Sequence, residues 1–102
     1  MNQMLSNLDF KTRGQGFTDI TNDINHWIKT KKLKQGILLI FLKHTSCSLI
    51  INENADINVL KDLSNYIKAI VPEKNFYPID RSNNKIEYLH SEEGLDDMPA
   101  HI

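Results

Sequence analysis

A mixed domain of helices and strands is what this sequence predicts, and three observations predict it. Two segments, around Trp27 and around Leu63, carry apolar residues at helical spacing. Between them, Ile37-Leu38-Leu39-Ile40-Phe41-Leu42 is continuously apolar and rich in strand formers, as in a strand covered on both faces. Breaks rich in glycine or asparagine, at Gly14-Gln15-Gly16, Gly36 and Ser82-Asn83-Asn84, separate these runs.

Taken in order, residues 4–10 place Leu8 and Phe10 on one parity, which predicts a strand entering the loop Thr12-Arg13-Gly14-Gln15-Gly16. Thr18 and Asp19 are N-cap types. Ile20, Ile24, Trp27 and Ile28 follow at i, i+4, i+7 and i+8, one apolar stripe on a helix ending near Thr30. Lys29, Lys31, Lys32 and Lys34 then supply cations favoured at the negative end of a helix dipole, and Gly36 ends the connection. Strands over 37–43 and 46–51 form either a hairpin or one long bent strand broken at His44-Thr45. Asn54 or Asp56 caps a second helix. Its Val59, Leu60, Leu63, Tyr66, Ile67 and Ile70 keep the 3.6-residue period until Pro72 forbids continuation. Residues 77–85 read as loop, with Ile86, Tyr88 and His90 on one parity of a short extended segment. Asp96 or Asp97 is an N-cap type and Pro99 suits a first helical turn, yet Ile102 follows before another turn can form. A helix that short is marginal in water, so either a ligand or neighbour pins the tail, or the chain is shorter than its fold.

A chain of 102 residues, read as one domain over 1–102, has room for one modest core. Its net charge of -1 sets up no field that would draw nucleic acid or anionic lipid, so neither is an expected partner. The apolar run 37–42 is far short of the roughly 20 residues that cross a bilayer, and Met1-Asn2-Gln3-Met4 lacks a signal-peptide pattern. A cytoplasmic location is expected. The single cysteine, Cys47, cannot close an internal disulfide, which agrees with a reducing compartment.

Chemistry concentrates at Lys43-His44-Thr45-Ser46-Cys47-Ser48, where polar groups interrupt two apolar runs and need partners if they are buried. Of the four histidines, His26 sits beside Trp27 on a helix and reads as a boundary residue. His44, His90 and His101 all fall at polar breaks. Three imidazoles converging with an open fourth position make a catalytic zinc-type site, with Asp96 or Asp97 as orienting carboxylates. No pair among them has the i, i+4 spacing of ligands on one helix, so spacing alone does not establish the site. Cys47 with His44 also suggests a nucleophile and base, but three residues apart they point to opposite faces of a regular strand. Glu53 follows the strand closely enough to serve as general acid or base, and equally suits support of a helix cap.

Three separated motifs carry a family resemblance. His44-Thr45-Ser46-Cys47-Ser48-Leu49, continuing through Ile51-Asn52-Glu53-Asn54-Ala55-Asp56 to Val59-Leu60 and Asp62-Leu63, resembles the signature of the YjbQ-type family, also called the secondary thiamine-phosphate synthase family. Glu93-Gly94-Leu95-Asp96-Asp97-Met98-Pro99-Ala100-His101-Ile102 looks like a second signature and Gly16-Phe17-Thr18-Asp19-Ile20-Thr21 like a third. The resemblance implies an α+β fold with antiparallel, sandwich-like sheets packed with two main helices. It also implies a homotrimer with histidine sites near subunit boundaries. His44, His90 and His101 are then the expected ligands of a divalent metal, zinc among the ions that imidazoles suit. His44 and Glu53 are the expected catalytic residues, and Thr45, Ser46, Asn52 and Asp97 the expected binding residues for a small phosphorylated substrate. The implied activity is a weak thiamine-phosphate synthase reaction. Family members continue past the Met98-Pro99-Ala100-His101 motif with a helix and further strands, so this chain is expected to be a C-terminally shortened copy.

Overall fold

The computed structural model describes residues 2–80 and 84–102. Residues 81–83, inside the expected loop 77–85, lie outside the described residues, as does Met1. Two helices and one two-stranded antiparallel sheet give the chain α+β content: α1 (Thr21–Thr30), α2 (Ile57–Ile70), β1 (Asn75–Phe76) and β2 (Ile86–Glu87), followed by a 3-10 turn over Pro99–His101. The chain divides into two units, Met1–Gly36 and Ile37–Ile102.

In the first unit, Ile20, Ile24, Trp27 and Ile28 are the half-buried residues of the α1 region, the stripe expected from their spacing. The residue at the N-cap position, Ile20, has no capping side chain. Asp19 substitutes from one position earlier, its Oδ1 accepting from Thr21 N at 2.9 Å. At the other end Lys32 takes φ of +54°, the left-handed conformation that glycine usually supplies. Lys32 N donates to Lys29 O at 3.0 Å and Leu33 N to Ile28 O at 3.3 Å, the paired bonds of a Schellman ending. The helix therefore ends at Thr30, as expected, where two recovered carbonyl bonds offset a left-handed lysine that costs on the order of 1 kcal/mol. The strand expected over 4–10 has no ladder. Its parity is nonetheless visible, since Leu8 and Phe10 are 44% and 37% exposed while Leu5 is 95% exposed.

The same contrast recurs in the second unit. Ile37, Leu39 and Phe41 are 80–100% exposed and Leu38 and Ile40 39–47%, the two-residue alternation of extended backbone. Neither 37–43 nor 46–51 is paired in a ladder among the described residues. Alternation is a local property, whereas a ladder needs a second edge in register, and no described segment provides one. The chain instead turns at Thr45-Ser46, one residue beyond the break expected at His44-Thr45.

Helix α2 begins where expected. Asp56 Oδ1 accepts from Asn58 N at 2.8 Å, so of the two cap candidates Asp56 is the one used. Asp56→Ala should therefore lower stability by about 1 kcal/mol, read as a shift in the urea midpoint of helix-detected unfolding; an unshifted midpoint would remove the cap from this account. The helix closes with Val71 N on Ile67 O at 2.8 Å, and Pro72 follows. Leu60 and Leu63 are half-buried, but Tyr66 and Ile70 are 64% and 58% exposed, so the α2 stripe is only partly covered. Among the described residues no hydrophobic side chain is fully buried.

The small sheet pairs Asn75 with Glu87 and Phe76 with Ile86. Lys74, at φ of +66°, turns the chain out of Pro72-Glu73 and makes two backbone bonds. Its carbonyl accepts from Tyr88 N at 3.1 Å, which extends the pairing, and its N–H donates to Leu95 O at 3.1 Å. One residue thus ties the β2 segment to the turn that precedes Pro99. Phe76 and Tyr88 stack across the pair with ring centroids 5.3 Å apart. Strand β1 was absent from the sequence expectation, because Glu73-Lys74-Asn75-Phe76 shows no alternation of apolar and polar residues.

Candidate metal centre

The turn 93–97 is built on Gly94, which adopts φ of +144°. A Cβ at Gly94 would be strained by that conformation and would lie 3.1 Å from Asp96 Oδ1, a tight contact that the carboxylate would have to relieve. Glu93 N donates to Asp97 Oδ2 at 3.2 Å and Asp97 N to Gly94 O at 3.4 Å, which holds the Asp97 carboxylate over the turn. Ala100 N on Asp96 O at 2.9 Å and His101 N on Met98 O at 2.9 Å then wind the tail, with Pro99 at the N-terminal position of the 3-10 turn.

His90 reaches this turn from just beyond β2. Its Nε2 lies 3.1 Å from Asp97 Oδ1, and its ring meets the His101 ring edge-on at 5.1 Å between centroids. The Asp97 side chain is 8% exposed and that of His90 54%. Both Asp97 oxygens are engaged, one by an imidazole and one by a backbone N–H. His90, Asp97 and His101 each present a ligating atom, all within 4.8 Å of one another. In a tetrahedral zinc site, ligand atoms about 2.0–2.2 Å from the ion are roughly 3.3 Å apart. The His90–Asp97 pair stands close to that separation at 3.1 Å, and His101 lies exposed beside it. Two imidazoles and a carboxylate are a donor set that suits a divalent ion.

Of the expected ligands, His90 and His101 come together. His44 is not in this group. It is exposed, and its Nδ1 accepts a hydrogen bond from Ser46 N at 3.0 Å within the Thr45-Ser46 turn. Asp97, expected to bind substrate or to orient the histidines, stands beside His90 among the ligating atoms. Thr45, Ser46, Asn52 and Glu53 are exposed along 45–53, and Cys47 is an exposed free thiol. The sequence left Asp96 and Asp97 as equal candidates for an orienting carboxylate, and the contact with His90 falls to Asp97.

These are the features of an α+β protein carrying a His–Asp–His cluster of metal-ligand type. The chain belongs to the YjbQ-like UPF0047 protein family, whose model matches residues 6–102. It is 41% identical over 91 residues to UPF0047 protein sll1880 of Synechocystis, covering 89% of this chain and 55% of that protein. It is 33% identical over 96 residues to UPF0047 protein YjbQ of Escherichia coli O157:H7, covering 93% and 62%. With UPF0047 protein MJ1081 of Methanocaldococcus jannaschii it shares 37% identity over 71 residues, 69% of this chain and 51% of that protein. The chain therefore spans 51–62% of the length of these relatives. No solved structure matches it. Among the described residues, no helix is long and apolar enough to cross a membrane.

Proposed function

We infer that the chain carries the metal-binding part of a thiamine-phosphate synthase-type transferase, with a divalent cation held by His90, Asp97 and His101. The observation that carries this reading is the convergence of those three side chains on one glycine-built turn. The substrate class comes from the family resemblance and the cation site from the geometry. In the reaction, the thiazole phosphate nitrogen bonds to the methylene carbon of the pyrimidine pyrophosphate. The carbon–oxygen bond breaks and pyrophosphate departs with the electron pair. A divalent cation supplies charge neutralisation for that leaving group.

The chain's own part is positioning. Glu93 N–H and the Gly94 turn hold Asp97, and Asp97 holds the His90 ring, so two of the three groups are positioned by the chain itself. The antiparallel sandwich and the homotrimer implied by the family belong to the same proposal. The open apolar parity of Ile37, Leu39 and Phe41 supports it, being a face that such a sheet or a neighbouring subunit would cover. Incubating the protein with both phosphorylated substrates and a divalent metal should give thiamine phosphate, and the His90→Ala, His101→Ala double variant should give none. Equal product from the two would overturn the reading. A metal-retaining protein with no turnover would favour a non-enzymatic metal- or anion-binding role.

A further inference from the structure

His44 carries its proton in a place that a metal ligand cannot. A backbone N–H can only donate, so the 3.0 Å contact from Ser46 N to His44 Nδ1 requires the lone pair of the ring to be on Nδ1. A neutral imidazole has one N–H, and with Nδ1 accepting, that hydrogen is on Nε2. Neither nitrogen then offers a free lone pair to a cation, while Nε2–H is a hydrogen-bond donor. His90 differs in its partner: its Nε2 faces the Asp97 carboxylate, a group that accepts a hydrogen bond or shares a cation with the imidazole.

The surroundings of His44 agree. His44 and Lys43 line one shallow concavity with Thr45, and Phe41 and Leu42 form its apolar wall. Lysine, histidine and threonine side chains are donors of the kind that phosphate oxygens accept from.

We propose that His44 is an anion-binding residue that donates Nε2–H to a phosphate oxygen, and is not a ligand of the metal. This rests on the reading of the chain as one that handles phosphorylated compounds, and not on its turnover. The direct test is the ring nitrogen chemical shifts of His44 in 15N-labelled protein near pH 7.5. They should report the Nε2–H tautomer and remain unchanged when zinc is added. Inorganic phosphate, titrated against the full chain, should bind about tenfold more weakly to His44→Ala, the loss of one charge-assisted hydrogen bond. His44→Gln, which keeps an N–H donor at a similar reach, should recover most of that loss. Zinc affinity should be unchanged in both variants. An Nδ1–H tautomer, a zinc-induced shift of the His44 ring nitrogens, or equal phosphate affinity in wild type and His44→Ala would overturn the proposal. Should thiamine phosphate never form while phosphate binding still depends on His44, the transferase reading fails and the anion site stands.

Discussion

Replacing His90 and His101 together by alanine should reduce zinc or cobalt affinity by at least about 100-fold, beyond the range that losing a supporting hydrogen bond costs. Their rings stand 5.1 Å apart and both face the turn that carries Asp97, so the double variant removes both nitrogen donors from a three-atom set. A lone carboxylate on an exposed turn holds a divalent ion only weakly. Cobalt is the useful probe, because its visible absorption distinguishes tetrahedral nitrogen and oxygen ligation from loose association with carboxylates. The fold should tolerate the change. His101 is exposed, the His90 side chain is more than half exposed, and the winding of the tail rests on the backbone bonds of Ala100 and His101. Unaltered cobalt affinity in the double variant would remove the centre.

Asp97→Asn should lower metal affinity by about 10–100-fold while leaving helix content unchanged. The amide oxygen can still accept from Glu93 N, so the turn survives, but the negative charge opposite the cation is gone. Isothermal titration with zinc reads the affinity and far-ultraviolet circular dichroism reads the helices. Loss of helix signal would show Asp97 to be structural and would count against the ligand role. Because Asp97 and His90 are in contact, their effects should not add: Asp97→Asn in a His90→Ala background should cost less than it does alone.

How much of this was legible beforehand depends on how far apart the interacting residues lie. The α1 stripe of Ile20, Ile24, Trp27 and Ile28 and the Asp56 cap were legible because helix periodicity and capping act within one or two turns. So, to within one residue, was the break expected at His44-Thr45. The strands over 37–43 and 46–51 were legible as extended, apolar segments and not as a ladder, since a ladder depends on which edge comes alongside. The end of α1 near Thr30 was legible as well, but not the left-handed Lys32 that closes it, because such a lysine runs against preference and is held by two specific carbonyl bonds.

By itself, then, the sequence determined the two helices, their caps and apolar faces, the family membership, and the histidines worth watching, all written in local spacing or in motif order. Only the tertiary structure decided which of those histidines meet. Lys74 binds Tyr88 and Leu95 from its two backbone groups, and that tie places His90 against the Gly94 turn with Asp97 and His101 while His44 turns to the amide of Ser46. A bridge between residues some twenty positions apart leaves no periodic trace in the chain. It is set by backbone hydrogen bonds that any side chain could accompany, which is why spacing alone did not say which histidines meet.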